Sequence, residues 1–341
     1  MNEKTGLKKE NPLGTEPVGK LLLAFSVPSI ISCLVNSIYN IVDQIFIGQG
    51  VGYLGNAATT VSFPMMTIVM AFATLLGSGG SAYTAIKLGE RDEKEANLTL
   101  NNLFSLSVGV GIIVALLGLI FLDPMLRMFG ATDTVLPYAR DYASIVLMGV
   151  PFSVLGITMS NMARTDGNPR LSMFGILIGA VLNTILDPIY IFVFHWGVKG
   201  AAVATITSQI LSALILCLYF WKKGNMRFKF KLMKPVPRVC GRAMTLGASS
   251  GITQLVACVM QVVMNNSLVH YGNLSEVTGD VALSAMGIVM KIVMILGPFC
   301  IGIGVGSQPI LVYNYGAGKF DSTRSASVKA VGSATVSISI A

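Results

Sequence analysis

The chain has 341 residues, of which 53% are hydrophobic and only 12% are charged, and its mean hydropathy is +0.70. Soluble domains carry roughly a quarter charged residues, so this composition predicts an integral membrane protein. The formal net charge of +8 does not indicate nucleic-acid binding, because the basic residues gather in short loops between apolar runs. We therefore expect the lipid bilayer as a partner, and no nucleic acid.

Eight long apolar segments and the start of a ninth follow one another along the chain. A membrane-spanning helix needs about 20 mainly apolar residues. Segments that meet this length lie near 20–48, 57–86, 97–122, 136–162, 171–194, 200–221, 243–270 and 281–314, and the ninth begins near Ser325. The sequence therefore predicts an all-α integral membrane protein.

Basic residues are distributed unevenly between the two ends of these spans. If the spans alternate in direction, twenty Lys and Arg residues, Arg164 among them, lie on the side of the N-terminus. Only Arg127, Arg140 and Lys199 lie on the opposite side. Loops rich in Lys and Arg stay in the cytoplasm. We therefore expect a multi-pass protein of the plasma membrane with a cytoplasmic N-terminus.

A basic segment divides the spans into two groups. Residues 222–242 contain eight Lys or Arg residues and no acid, and they follow the sixth span. We expect a cytoplasmic tail at 1–19, a six-helix N-lobe at 20–221, a cytoplasmic linker at 222–242 and part of a C-lobe at 243–341.

Short sequence matches relate the two lobes. Gly55-Asn56 resembles Gly279-Asp280 at an offset of 224 residues, and Gly80-Ser81 recurs as Gly306-Ser307 at an offset of 226. Six spans per unit is an even number, so the two units would run parallel, as in many transporters. The chain stops at Ala341 within an apolar stretch. We expect the second unit to be incomplete and the chain to be a fragment.

Only two acidic residues lie well inside the predicted spans, Asp43 and Asp187. A charged side chain near the centre of a membrane helix costs about 2.5–3.5 kcal/mol on insertion scales, so it usually faces a cavity, a partner or an ion. Asn36, Asn40 and Asp43 share one helix face, and Asn183 precedes Asp187 by one turn. These oxygen ligands suit a proton or a hard cation such as Na⁺. The alternative is that the two acids lock helices together through hydrogen bonds.

Five further residues are candidates for lining a substrate cavity. They are Asn36, Tyr39, Gln254, Met290 and Lys291. Methionine has a flexible thioether that suits substrates of varied shape, whereas a lysine near mid-span could instead make a structural contact.

No enzyme motif occurs in a suitable context. The sequence has no HExxH pair, Walker A loop, dinucleotide fingerprint or nucleophile elbow placed as its chemistry requires. We expect no catalytic activity, no cofactor other than a coupling ion, and a monomer.

Four stretches carry a resemblance to a known family. They are Tyr39-Asn40-Ile41-Val42-Asp43, Asn183 to Pro188, Gly200 to Thr205, and Gly306-Ser307-Gln308-Pro309 with Tyr313-Asn314-Tyr315-Gly316. Along essentially its whole length, the chain resembles the multidrug and toxic compound extrusion (MATE) family of cation-coupled antiporters. The resemblance implies two six-helix lobes, of which this chain would contain the complete N-lobe and about two and a half helices of the C-lobe.

The same resemblance implies roles for individual residues. Asp43, Asn183, Asp187 and Thr205 match N-lobe positions implicated in proton or sodium coupling, so a Na⁺ site would comprise these four side chains. The implied function is efflux of cationic or amphipathic drugs in exchange for H⁺ or Na⁺. Three alternatives remain: a flippase for lipid-linked anionic sugars in a related fold, an inactive truncated transporter, and a membrane scaffold or receptor without transport.

Overall fold

The structure, a computed structural model, describes residues 12–273 and 279–340 and most of their side chains. The side chains at positions 12, 261–262, 265–266, 268–270, 272–273, 279–292, 338 and 340 are not described. Within the described ranges the regular structure is entirely helical, which confirms the predicted fold class.

Ten α-helices form the described part of the chain. They are α1 (Val18–Val51), α2 (Tyr53–Gly89), α3 (Glu93–Ile120), α4 (Leu122–Met128), α5 (Leu136–Thr165), α6 (Pro169–Pro188), α7 (Gly197–Lys222), α8 (Pro237–Asn273), α9 (Gly279–Gly316) and α10 (Phe320–Ile340). Eight of these described helices are long and apolar enough to cross a membrane, and they coincide with the eight predicted spans. The short helix α4 was not predicted because its seven residues are far below the length of a span.

Side-chain caps begin two of the spanning helices. The Asp92 carboxylate accepts a hydrogen bond from the backbone N–H of Glu95 at the start of α3. The Asn168 side chain does the same for Leu171 at the start of α6, where Pro169 follows as the first helical residue. Such caps satisfy N–H groups that have no partner inside the helix. The two short turns therefore return the chain directly into the next span.

The two most extensive helix pairs between the lobes are related by the internal repeat. Helix α1 packs against α9, and α2 packs against α8. If α1 corresponds to α8 and α2 to α9, as the sequence repeat predicts, a two-fold operation exchanges one contact with the other. The packing is therefore that of parallel repeats around an axis along the membrane normal.

Glycines permit the close approach of these helix pairs. A Cβ atom at Gly79 in α2 would overlap the carbonyl oxygen of Ala243, and one at Gly247 in α8 would overlap that of Leu75. At the other contact, a Cβ atom at Gly306 in α9 would lie 2.7 Å from the Cα atom of Ser26. Small residues let membrane helices approach backbone to backbone. The lobe interface thus depends on the absence of side chains at these positions.

Further contacts close one end of the structure, which we call the basic end because it carries the turn around Arg91 and residues 222–242. The Lys319 ammonium donates to the Gly14 carbonyl at 2.8 Å, and the Gln308 amide donates to the Ser78 carbonyl at 3.1 Å. The Asn314 amide also donates to the Leu13 carbonyl, at 3.3 Å. The lobes are joined tightly at the basic end.

The end opposite to the basic end carries Lys199 and the turn between α6 and α7, and we call it the outer end.

Side chains of α3 hold the basic segment between α7 and α8. Asn101 accepts a hydrogen bond from the Lys229 N–H at 2.7 Å and donates to the Arg227 carbonyl at 3.1 Å. Asn102 donates to the Leu232 carbonyl at 2.9 Å and accepts from a backbone N–H further along the segment. Both amides are essentially inaccessible to solvent. These hydrogen bonds therefore fix the segment through its backbone.

Asp166, in the turn between α5 and α6, holds the beginning of the same segment. Its carboxylate accepts hydrogen bonds from the Tyr219 hydroxyl at 2.7 Å and from the backbone N–H groups of Asn225 and Met226, both at 3.0 Å. Burial raises the pKa of the Asp166 carboxyl, and these hydrogen bonds oppose the rise. This buried aspartate is therefore fully engaged in a structural contact.

Two details differ from the sequence-based expectations. Helix α8 begins at Pro237, so the last six residues of the predicted linker are helical. Arg164 was predicted to lie in a loop, but it lies in the last turn of α5 and only 7% of it is exposed. Its guanidinium donates to the Ser172 hydroxyl at 2.8 Å and the Asn161 side-chain oxygen at 2.9 Å. Hydropathy alone could not distinguish this buried cation from a loop residue, because it stands beside the polar turn.

Two glycines of α8 provide a matched test of the lobe contact. We predict that Gly247→Ala lowers the stability of the purified protein by about 1–3 kcal/mol, because the new methyl group meets the α2 backbone. Gly241→Ala is the control, since a Cβ atom there meets nothing within 4 Å, and it should leave stability unchanged or raise it by up to about 1 kcal/mol. Thermal unfolding measures both; equal effects would contradict the proposed role of Gly247.

Candidate functional site

Two carboxyl groups from different helices meet inside the N-lobe. Asp43 of α1 is 8% exposed and Asp187 of α6 is fully buried. Their side chains lie within hydrogen-bonding reach of each other, and the Asn183 amide donates to Asp187 Oδ1 at 3.2 Å. The structure therefore brings together three of the four residues that were predicted to bind a coupling ion.

This cluster contains oxygen atoms that no protein group satisfies. Asp43 Oδ1, Asp187 Oδ2 and Asn183 Oδ1 are buried and accept no hydrogen bond from any described residue. A buried acceptor without a donor costs about 1–3 kcal/mol, and two adjacent carboxylates also repel each other. A bound proton or a small cation would relieve both penalties. The oxygen-only donor set fits either H⁺ or Na⁺.

The donor set does not resemble a site for a resident transition metal. No group of three or more His, Cys, Asp or Glu side chains that could hold a metal ion occurs in the described part of the chain. The cluster offers two carboxylates and an amide oxygen, which suit a weakly held, exchangeable ion. Exchange is what a coupling ion requires.

Two tyrosines flank the acidic pair. Tyr39 lies on α1, one turn before Asp43, and it precedes Asn40, whose amide donates to the Asn36 carbonyl at 2.6 Å. Tyr142 of α5 is 9% exposed and lies within electrostatic range of both Asp43 and Asp187. Helices α1, α5 and α6 therefore all contribute polar side chains to the site.

An apolar cluster separates the acidic pair from the outer end. We call this cluster the outer plug; it consists of Ile47, Tyr142, Val146, Ile191, Val198, Ala201 and Ala202, each at most 9% exposed. Ile47 follows Asp43 by one helical turn and Ile191 follows Asp187 by one turn. Val51, a further turn along α1, packs against this cluster. The plug therefore shields the carboxyl groups from solvent on that side.

A cavity of about 620 Å³ lies beyond the plug at the outer end. Its lining includes Tyr138, Asp141, His195, Trp196 and Lys199, and Asp141 pairs with Lys199 at 3.2 Å. Val51 and Val198 belong to both the cavity wall and the plug region. The cavity and the plug are therefore neighbours at the outer end.

The backbone changes its geometry next to Asp187. Helix α6 ends at Pro188, and a π-helical turn, Ile189–Val193, follows. Proline has no N–H, so the Thr184 carbonyl one turn earlier loses its usual helical donor. π-helical turns occur frequently at functional sites because they redirect side chains. The irregularity therefore begins immediately after the buried carboxylate.

Four other predicted site residues lie on α7, α8 and α9. Thr205 is partly buried on α7 and makes no side-chain hydrogen bond within the described part of the chain. Gln254 is partly buried on α8 and likewise makes none there. The side chains of Met290 and Lys291 lie outside the described residues. The roles of these four residues stay predictions.

The sequence did not single out two polar residues that the structure places inside the N-lobe. Tyr142 flanks the acidic pair, and Gln209 of α7 has a buried side-chain oxygen without a described donor. Neither residue carries a charge, and tyrosine and glutamine are common in membrane helices near interfaces. Only knowledge of which helices pack together identifies them.

The chain is similar in sequence to a known protein family and to individual members of it. The MatE family matches residues 28–189 and 250–341. Multidrug export protein MepA of Staphylococcus aureus strain N315 is 30% identical over 304 residues, which cover 89% of this chain and 66% of that protein. The chain therefore spans less than two thirds of the length of this curated relative.

Solved structures share the fold. A MOP superfamily transporter from Pyrococcus furiosus, described as having a binding pocket of reverse polarity, superimposes with a TM-score of 0.88 at 24% identity, over 95% of this chain and 71% of that chain. An outward-facing multidrug resistance MATE family transporter also gives 0.88, at 23% identity over the same shares. At these identities the likeness establishes the fold.

Two buried aspartates provide a test of the site, because Asp166 is surrounded by hydrogen-bond donors whereas Asp187 lies beside another acid. We predict that Asp187→Asn leaves the thermal stability of the purified protein unchanged or raises it, because one of two adjacent carboxyl groups is removed. Asp166→Asn should lower stability by about 1–3 kcal/mol. The new side-chain NH₂ group would replace a carboxylate oxygen that now accepts hydrogen bonds, and at least one of the present donors would lose its acceptor. A loss at Asp187 as large as that at Asp166 would show a purely structural role for Asp187.

Proposed function

The chain belongs to the MatE family, and we propose that it acts as a multidrug efflux antiporter that exports cationic or amphipathic compounds in exchange for H⁺ or Na⁺. The observation that carries this proposal is the pair of adjacent buried carboxyl groups with unsatisfied oxygens in the N-lobe. Such groups inside a membrane protein mark ion or proton pathways. The chain is a membrane protein of a transporter family, and we propose no catalytic activity.

The acidic pair supplies the coupling. With neither proton nor cation bound, Asp43 and Asp187 repel each other in a medium of low polarity. Binding one H⁺ or one Na⁺ removes that repulsion and satisfies the free oxygens of the cluster. The ion therefore stabilises an arrangement in which α1 and α6 are close. A cycle results if substrate favours one arrangement of the lobes and the ion favours another.

The lobe contacts indicate which side of the cycle the structure represents. Among the described residues, the closest contacts between lobes lie toward the basic end, where glycines of α2, α8 and α9 meet the opposing backbone. We propose that the basic end is cytoplasmic, on a plasma membrane, because the large majority of Lys and Arg residues lie there. We propose that the arrangement is closed toward the cytoplasm.

The substrate class follows from charge. Cationic or amphipathic compounds suit a transporter whose interior acids are Asp43 and Asp187. A lipid-linked anionic sugar, the substrate of the alternative flippase function, would instead require several cations facing the space between the lobes. The buried Arg164 is engaged by Ser172 and Asn161 inside the N-lobe. The efflux function is therefore the better supported of the two.

Flux in proteoliposomes tests the proposal. We predict uptake or release of a fluorescent cationic dye that responds to an H⁺ or Na⁺ gradient, applied separately so that the coupling ion is identified. Asp187→Asn should reduce ion-driven flux at least about tenfold, since this variant removes the exchangeable charge. Gly241→Ala, which meets no neighbouring atom, is the control for reconstitution.

The outcomes distinguish the alternatives. Equal flux by wild type and Asp187→Asn, with equal protein incorporation, would remove Asp187 from the coupling mechanism. No dye flux under either gradient, together with movement of a fluorescent glycolipid between leaflets, would favour the flippase. Absence of both activities would favour a non-transporting protein or a requirement for the length that the relative has beyond this chain.

A further inference from the structure

The clamped segment between α7 and α8, residues 223–236, presents all of its cations outward. Asn97, Asn101, Asn102 and Ser105 of α3, with Asp166, bond to the backbone of this segment. The cations of the predicted linker are therefore not used in the clamp. All eight are exposed: Lys222, Lys223, Arg227, Lys229, Lys231, Lys234, Arg238 and Arg242.

Apolar and basic side chains of the segment point in different directions. Met226 is 2% exposed, and Phe228 packs edge-on against Phe104 at a ring distance of 5.0 Å. Arg227 and Lys229, which alternate with them, are exposed. Extended backbone directs successive side chains to opposite faces. The apolar residues therefore anchor the segment to the N-lobe, while the basic residues face away from it.

The exposed cations form no ion pair within the part of the chain that the structure describes. Five ion pairs occur among the described residues, and none includes a cation of residues 222–242. Glu93 and Glu95 line a groove of about 430 Å³ together with Lys229 of the segment. Like charges held at this density repel one another, and a bound anion would relieve the repulsion.

The position of the segment identifies the anion. It joins the ends of two membrane-spanning helices, α7 ending at Lys222 and α8 beginning at Pro237, so it lies at a membrane surface. Trp221 is 56% exposed and Phe230 is 73% exposed, and their rings contact each other at 5.6 Å. Amphipathic aromatic rings concentrate at the level of lipid headgroups. Cations beside such rings meet the phosphates of the surrounding lipid.

We propose that the backbone-clamped segment 223–236, with Trp221 and Phe230, is a preformed binding surface for the headgroups of anionic phospholipids. The α3 amides fix the cations before lipid arrives, so binding does not have to order a flexible loop. This surface is separate from the acidic pair and does not depend on the transport function proposed above.

The two tryptophans of the chain allow a local measurement. Trp221 ends α7 at the basic end, whereas Trp196 precedes α7 at the outer end, about 38 Å away along the helix. In a Trp196→Phe variant, only Trp221 fluoresces. Reconstitution into vesicles of phosphatidylcholine that contain brominated phosphatidylglycerol, or brominated phosphatidylcholine at the same fraction, reports which lipid lies beside it.

We expect quenching at Trp221 to show a several-fold preference for phosphatidylglycerol. The ratio of quenching by brominated phosphatidylglycerol to quenching by brominated phosphatidylcholine should fall toward one in the double variant Lys231→Gln/Lys234→Gln. It should be retained in Arg324→Gln/Lys329→Gln, a matched loss of two exposed cations from α10 at the same end. Asn101→Ala/Asn102→Ala, which changes no charge, should also weaken the preference, because the clamp is lost. A Trp221→Phe variant, reporting at Trp196, should show no preference.

Several results would overturn the proposal. Equal quenching by the two lipids at Trp221, or an unchanged preference in Lys231→Gln/Lys234→Gln, would show that the segment does not select anionic lipid. Abolition of the preference by a short oligonucleotide at equal phosphate concentration would indicate a nucleic-acid surface instead. If the tryptophan variants fail to fold, thermal unfolding of the unmodified chain decides. Added phosphatidylglycerol should then raise its melting temperature more than phosphatidylcholine does, and an equal rise would overturn the proposal.

Discussion

The adjacency of Asp43 and Asp187 is the interaction on which the rest of the structure depends. Membrane interiors penalise one carboxylate, and they penalise two neighbouring carboxylates more, so the pair persists only because something compensates for it. Asn183 donates one hydrogen bond, and Tyr39 and Tyr142 surround the pair with polar rings. Three oxygens nevertheless have no hydrogen-bond donor among the residues that the structure describes. The pair is thus incomplete as a structural contact, which is why we propose that a cation or proton binds there.

A comparison with Asp166 shows why incompleteness matters. Both Asp166 and Asp187 are buried, but three donors from Tyr219, Asn225 and Met226 satisfy the Asp166 carboxylate. Asp166 therefore holds two segments together and has no capacity left for a ligand. Asp187 receives one hydrogen bond from protein and faces another acid. Burial alone does not identify a functional carboxylate; unsatisfied bonding capacity does.

The sequence predicted the spans, their order and the parallel repeat, because hydropathy and helix length are properties of local sequence. It also predicted that Asp43 and Asp187 matter, because charge inside an apolar run is rare. It did not predict Tyr142, which enters the site only because α5 packs beside α1 and α6. Thr205 illustrates the converse, since its match to a family position does not give it a hydrogen bond in the described structure.

Helix α1 connects the ion site to the lobe interface physically. Ser26, near its basic end, meets Gly306 of α9, and Asp43 lies 17 residues further along the same helix, about 25 Å away. In the proposed mechanism, neutralising Asp43 or Asp187 would change how closely α1 can pack against α6. Because the contact at Gly306 leaves no room for a Cβ atom, a tilt or bend of α1 alters the fit between lobes at once. Pro28 lies two residues beyond that contact and has no N–H, so one helical hydrogen bond of α1 is missing where the two lobes meet.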